Sequence, residues 1–276
     1  MKMKKCQKHQ KNPEKPLMKQ HMKVSVYQAT HNQICKKSAD YLVPIQVGAA
    51  LTSERYAAVR DNIGENISEK NPYYCELTAL YWVWKNDKTS DIIGLCHYRR
   101  KFPFHRAKKI EQKLLKYDAI VTSPYGFRMS LKEEYAKFHE RDDLRRMLMV
   151  LKRCYPMYME AAQSVLCENQ LIPYNMIILS RNQYDSYCEW LFSILGELEK
   201  NGNDIERDIY QARYFGFLAE RLMNMYIVHH RWKVLKVHPV LTEHRWMTLV
   251  NTLSTMKNNL IFGGKKILHV FNKCNV

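Results

Sequence analysis

The chain is poor in glycine and proline, with nine of each in 276 residues. That excludes collagen-like and low-complexity architectures, and no internal repeat is visible. Eight cysteines are scattered with no CxxC pair, at positions 6, 35, 75, 96, 154, 167, 188 and 274. This pattern points to reduced thiols rather than to a disulfide framework or a zinc site. No apolar run approaches the roughly 20 residues of a spanning helix, and the N-terminus lacks the apolar core of a secretory signal. DxD, HExxH, GxxxxGK[ST] and GxSxG are all missing, which argues against a P-loop kinase or ATPase and against a nucleophile-elbow hydrolase. The last twenty residues contain no acid, and the first 23 contain only Glu14.

What is present is hydrophobic content of 46% with 12% aromatics, and a net charge of +17. The first two numbers describe a folded chain with a real core. The charge calls for an anionic partner: nucleic acid, an anionic membrane surface or a phosphorylated small molecule. Both ends are basic. Residues 1–22 read as a flexible basic tail. Residues 246–276, with "NLIFGGKKILHVF", read either as a membrane-surface segment or as an ordinary C-terminal helix.

Between the ends, strands alternate with helices. "KVSVYQAT", "DIIGL", "KYDAIVTSP", "YNMIILS" and "VLKVHPVLT" read as strands. Asn71-Pro72 opens a helix through Tyr73–Lys85 that is apolar almost all round. Further helices are predicted from Asp142, from Pro156, over 183–200 and over 208–228. The expected fold is α/β, a mixed, partly parallel sheet with flanking helices and a helical C-terminal half. Ligands of such sheets bind beyond the carboxyl ends of the strands.

One strand ends unusually. "DIIGLCHYRRKF" runs from a buried apolar segment straight into His97-Tyr98-Arg99-Arg100. Two readings compete: a solvated strand end paired to Glu76 or Asp91, and an anion site. Arginine binds phosphate oxygens in pairs. Each Arg–phosphate contact at about 4 Å gains roughly 4 kcal/mol before desolvation at an effective dielectric near 20. If the strand continues, His97 and Arg99 share one face. His31, after the first strand, and "DNIGENIS" belong to the same sheet edge.

Several long stretches also carry a resemblance. "PIQVGAAL", "DNIGENISEKNPYYCELTALYWVWKN", "IGLCHYRRKF", "YNMIIL", "YCEWLFSIL" and "RYFGFLAERL" resemble the bacterial capsular and exopolysaccharide glycosyltransferase family that carries an HYRR signature. The resemblance spans residues 23–245. It implies a GT-A-like, Rossmann-related fold that moves a sugar from a nucleotide sugar, UDP-linked by expectation, to a lipid-linked oligosaccharide. It also implies a cytoplasmic protein held peripherally at the anionic inner face of the membrane. The cations at 97–100 stand where many GT-A enzymes carry a metal-binding DxD, so no metal or other cofactor is expected.

The candidate residues follow. His97, Arg99 and Arg100 are assigned to the reacting diphosphate. Glu220 is either the catalytic base or a structural partner of Arg221 or Arg213. His31, Gln46, Gly48, Asp61, Asn62, Asn66, Asn175 and Met176 are assigned to the donor and its pocket, with turn chemistry as the alternative for the Asx residues. Tyr81, Trp82, Trp84 and Trp190 are read as core. The competing functions are a basic nucleic-acid-binding protein, against which the concentration of charge in the tails and the absence of any RNA- or DNA-binding signature speak, and a catalytically dead scaffold of the capsule machinery.

Overall fold

Val, Ile and Leu dominate the central strands because those strands are covered on both faces. The computed structural model describes residues 22–31, 39–200, 206–242 and 245–262. The basic tail and the segment after 262 therefore lie outside the described residues. The strands are β1 Val24–Thr30, β2 Leu42–Gln46, β3 Val59–Arg60, β4 Ile92–His97, β5 Arg100–Lys101, β6 Ala119–Thr122, β7 Tyr125–Gly126, β8 Gln170–Leu171, β9 Ile177–Ser180, β10 Val234–Val237 and β11 Val240–Leu241. The helices are α1 Asn71–Tyr74, α2 Leu77–Asn86, α3 Ala107–Leu114, α4 Leu131–Phe138, α5 Arg141–Cys154, α6 Met159–Cys167, α7 Arg181–Lys200, α8 Tyr214–His229 and α9 Arg245–Phe262.

The main sheet runs β10-β6-β9-β4-β1-β2-β3. All pairings along it are parallel except those of β9, which runs antiparallel to both β4 and β6. Pleating sends Tyr27, Ala29, Ile93 and Leu95 to a large core under α2 and α4–α8. It sends Val24, Val26, Ile92 and Cys96 to a smaller core under α3. Gly94 is needed at the centre: a Cβ there would stand 2.7 Å from Ile178 Cγ1 and 2.9 Å from the Ile177 carbonyl. The five described cysteines are free thiols.

The predicted helix over 73–85 is in fact two. Cys75 takes φ of +52° and breaks it, so that α1 ends at Tyr74 and α2 starts after Glu76. The predicted strand at 174–180 begins only at Ile177, because Tyr174 and Asn175 are both left-handed, at φ +75° and +52°. The basic C-terminal segment begins as α9, which docks on the domain: Asn258 and Asn259 donate to the Tyr125 hydroxyl (2.6 Å) and the Pro124 carbonyl (2.8 Å). Among the described residues no helix is long and apolar enough to cross a membrane.

Candidate active site

β1 is followed by β2 on one side and flanked by β4 on the other, both parallel to it. The chain thus reverses its direction of winding beside β1, and the crevice at the carboxyl ends of β1 and β4 is where such sheets take ligands. A cavity of about 760 Å³ opens there. His31 lies at the end of β1, and His97 through Arg100 line the cavity from β4.

The strand does not run on past His97. It folds back, pairing His97 with Arg100 antiparallel, so Tyr98 and Arg99 form the turn. The expectation that His97 and Arg99 share a strand face is therefore replaced by a hairpin tip at which all four side chains line the cavity. The turn is pinned from both sides. Tyr98 N–H donates to the Ala29 carbonyl (3.0 Å), and Thr242 Oγ1 donates to the Tyr98 carbonyl (2.6 Å). Arg213 completes the cationic rim, its Nε 3.2 Å from Cys75 Sγ. Arg207 lines the same space, but both its Nη atoms hold Asp143 at 2.7 Å. Burial, with Arg99, Arg213 and His97 nearby, holds the His31 pKa below the usual imidazole value.

A second cavity of about 460 Å³ adjoins the first and shares Cys75, Glu76, His97, Arg100 and Arg213 with it. Its character is different. Glu76, Glu134 and Glu220 supply carboxylates, and Tyr125, Phe127, Tyr174, Tyr210 and Phe217 supply rings. Carboxylates and aromatic faces are the groups that hold hydroxyl-rich ligands.

The two left-handed residues tie this lobe together. Tyr174 N–H donates to Glu220 Oε1 (2.6 Å), and its carbonyl is 2.8 Å from His97 Nε2. A carbonyl only accepts, so Nε2 carries the proton and Nδ1 is the other ring atom. Asn175 Nδ2 donates to Glu76 Oε1 (2.7 Å) and to the Gly216 carbonyl (3.2 Å). Asn175 is 2% exposed, and its Oδ1 has no hydrogen-bond partner. Strained backbone gathered at one place is the mark of a site that the surrounding packing over-determines.

Glu220 is the most perturbed acid. Burial pushes its carboxyl up to about 7, with Glu76 and Glu134 adding to the rise, while Arg221 and the Tyr174 N–H oppose it. Arg221 is 2% exposed and bridges Glu220 (3.2 Å) to Glu134. Burial and Arg221 also lower the neighbouring His139 to about 4, keeping it neutral. The two readings of Glu220 thus coexist: it partners Arg221, and it faces the cavity.

The other predicted donor residues are not brought into either cavity. Asp61 is fully buried and accepts from the N–H of Gly48 (2.9 Å) and Ala49 (3.0 Å) and from Ser68 Oγ (2.5 Å). Gln46 closes the 46–56 loop, donating to the Glu54 carbonyl and accepting from Tyr56 N–H. Asn66 makes an Asx turn onto Ser68 N–H, and Asn62 follows Asp61 away from the rim. Met176 is buried in the α3-side core. Gly48 acts at one remove: at φ +63° its bare Cα lets Asn71 Oδ1, on the cavity wall, approach to where a Cβ would be at 2.9 Å. Asp61→Ala is accordingly expected to cost about 3 kcal/mol in urea unfolding by orphaning two buried N–H groups. A loss below about 1 kcal/mol would show that water replaces the carboxylate. The aromatic residues read as core stay out of the site: Trp84 stacks on Phe192, and Trp82 packs against Tyr27.

Sequence reasoning missed Glu76 and Arg213 as site residues. The signal for Glu76 was available, a single carboxylate inside an apolar helical stretch. Arg213 had none, because only the fold carries the start of α8 to the strand ends.

The mixed sheet, its helical cover and the two-lobed cleft at the strand ends form a fold of the glycosyltransferase type. The structure is similar to the apo structure of the bifunctional glycosyltransferase WbbM, with a TM-score of 0.74 and 26% identity over 80% of this chain. The chain spans 45% of the length of that protein chain. Residues 25–231 match the family described as Domain of unknown function (DUF4422), and the chain belongs to that family. No curated protein matches it.

Proposed function

We propose that this protein transfers a glycosyl group from a nucleotide sugar, UDP-linked by expectation, to a lipid-linked oligosaccharide at the cytoplasmic face of the membrane, in surface polysaccharide synthesis. One observation carries the reading. A cationic lobe at the switch point of the sheet meets a carboxylate-and-aromatic lobe, and the two share Glu76, His97, Arg100 and Arg213. The likeness to a bifunctional glycosyltransferase supports the reaction class.

In this reading the diphosphate lies in the larger lobe against His97, Arg99, Arg100 and Arg213. These groups offset the charge that develops on the leaving oxygen. The acceptor enters the smaller lobe, where Glu220 takes the proton of the attacking hydroxyl. Glu76, held by Asn175, orients a sugar hydroxyl between the lobes.

Transfer is taken as metal-independent. The donor lobe gathers cations around one carboxylate, and among the described residues no three His, Cys, Asp or Glu side chains converge to hold an ion. That donor set does not fit a divalent metal. A requirement for Mn²⁺ together with full activity of Arg99→Ala would refute the cationic reading.

The deciding experiment is a thermal-shift panel with UDP, GDP, CMP and dTDP, each in EDTA and in Mn²⁺. Ligand at 100-fold its Kd adds about 2.7 kcal/mol of stability, a clear shift. One nucleotide stabilising equally in EDTA is the expected result. No shift from any nucleotide would overturn the reading in favour of a scaffold or a nucleic-acid-binding protein.

A further inference from the structure

The two faces of the sheet differ in how their cations are used. On the side of the large core many basic groups are matched: Arg145 pairs with Asp142, Arg153 and Lys200 with Glu197, Arg181 with Asp87 and Asp185, and Arg207 with Asp143. The opposite face is covered by a different kind of helix. In α3, Ala107, Ile110 and Leu114 turn inward, and Ile110 is buried against β6. The period of the helix then sets Lys108, Lys109, Lys113 and, just past its end, Lys116 outward, all exposed. Lys233, at the start of the adjoining edge strand, extends the same surface, whereas Lys236 alternates with Leu235 and Val237, which pack on the α3-side core, and so faces the other way.

None of the four α3-side lysines forms an ion pair among the described residues. The acids nearby are few. Asp40 and Asp118 are committed to the backbone N–H of Ala107 (2.9 Å) and Lys233 (2.7 Å), which leaves Glu111. Among these cations stands Leu115, 75% exposed.

We propose that this α3–β10 face is the surface on which the protein lies against an anionic phospholipid bilayer. Lysine clusters beside an exposed apolar side chain suit a diffuse layer of lipid phosphates. A nucleic-acid groove calls for stacking aromatics, and the patch offers none uncovered: Tyr117 lies under Lys233, 5.2 Å from its ring centre. Because α3 leads from the carboxyl end of β4, by way of β5, back to the amino end of β6, its first turn, with Lys108 and Lys109, is the part of this face nearest the strand ends that carry the cavity. This deepens the proposed function by naming where a lipid-held acceptor meets the protein. The test uses no turnover, so it can fail while nucleotide binding stands.

The test is sedimentation of the full chain with vesicles of phosphatidylcholine alone or with about 30% phosphatidylglycerol. The wild type is expected to bind only the anionic vesicles, and less as salt rises. Each lysine near such a surface contributes about fivefold to partition, so Lys108→Glu with Lys113→Glu and Lys116→Glu should lower it by at least thirtyfold. Lys137→Glu with Arg141→Glu and Lys152→Glu, an equal charge change on the other face, should lower it less than threefold. These positions are exposed, so an unchanged Tm confirms that both variants fold. Equal losses in the two variants would overturn the proposal, as would a wild type indifferent to phosphatidylglycerol. So would an α3 variant that loses binding to duplex RNA but not to vesicles.

Discussion

Glu220→Gln is expected to lower kcat by roughly 10²–10⁴-fold, the range of a lost general base, with nucleotide affinity within about threefold of wild type. The geometry separates the two readouts. Glu220 faces the smaller lobe and is not among the residues lining the larger one. Its carboxyl, raised to about 7 chiefly by burial, is poised near neutral pH, where a base both holds its charge and accepts a proton readily. In the wild type kcat/KM should rise with pH through about 7 and level off, and that limb should vanish in the variant.

Stability supplies an independent check on Glu220. A carboxyl whose folded pKa lies above its unfolded value binds more protons when folded, between the two values. The native state therefore loses stability as pH rises from about 4.5 to about 7, and the penalty is complete above that. Glutamine carries no such penalty. The Tm of Glu220→Gln relative to wild type should thus increase between pH 4.5 and 7, by the equivalent of up to about 3 kcal/mol, and then stay flat. A pH-independent difference combined with retained activity would reduce Glu220 to the structural partner of Arg221.

The central strands were legible because they are buried on both faces and read as short β-branched runs. β1, β4, β6 and β9 all belong to this kind. β2 was not, since Pro44 interrupts "LVPIQ" and its polar neighbours look like loop. α3 and α4 escaped for a different reason. Only Ile110 of α3 is buried, so its apolar period is nearly invisible under lysines, and α4 announces itself only by the Ser130–Glu133 capping box.

The site was harder to read than the fold. His31, His97, Arg99 and Arg100 could be named because a strand that apolar has no reason to end in cations. The hairpin that aims them could not be read, because the residues that pin it, Ala29 and Thr242, are far away in the chain. The same holds for the left-handed Cys75, Tyr174 and Asn175. Sequence marks positive φ with glycine or a turn Asn, and Cys75 and Tyr174 carry no such mark. They are held there by long-range bonds to Arg213, Glu220 and Glu76. Asp61 and Asn66 lie away from both cavities in bonds that shape their own loop, and the sequence could not foretell this because Asx side chains that serve ligands and those that close turns look alike.

Arg100→Ala is expected to weaken binding of the preferred nucleoside diphosphate by roughly 30- to 1000-fold, about 2–4 kcal/mol. Arg100, like Arg213, lines both lobes, and its guanidinium lies 4.3 Å from the centre of the Tyr174 ring. Stacking of this kind holds the planar fork in place before the ligand arrives, so little side-chain entropy is lost on binding. Arg100→Lys keeps the charge but loses both the fork and the stacking. It should recover less than half of the lost free energy. The loss should be larger for the diphosphate than for the corresponding monophosphate, since the second phosphate is the group nearest the transferred sugar. Titration calorimetry in EDTA at two salt concentrations measures all of these affinities directly. Wild-type diphosphate affinity in Arg100→Ala would mean that Arg99 and Arg213 carry the diphosphate alone, and that the pairing of Arg100 with His97 serves only to shape the hairpin.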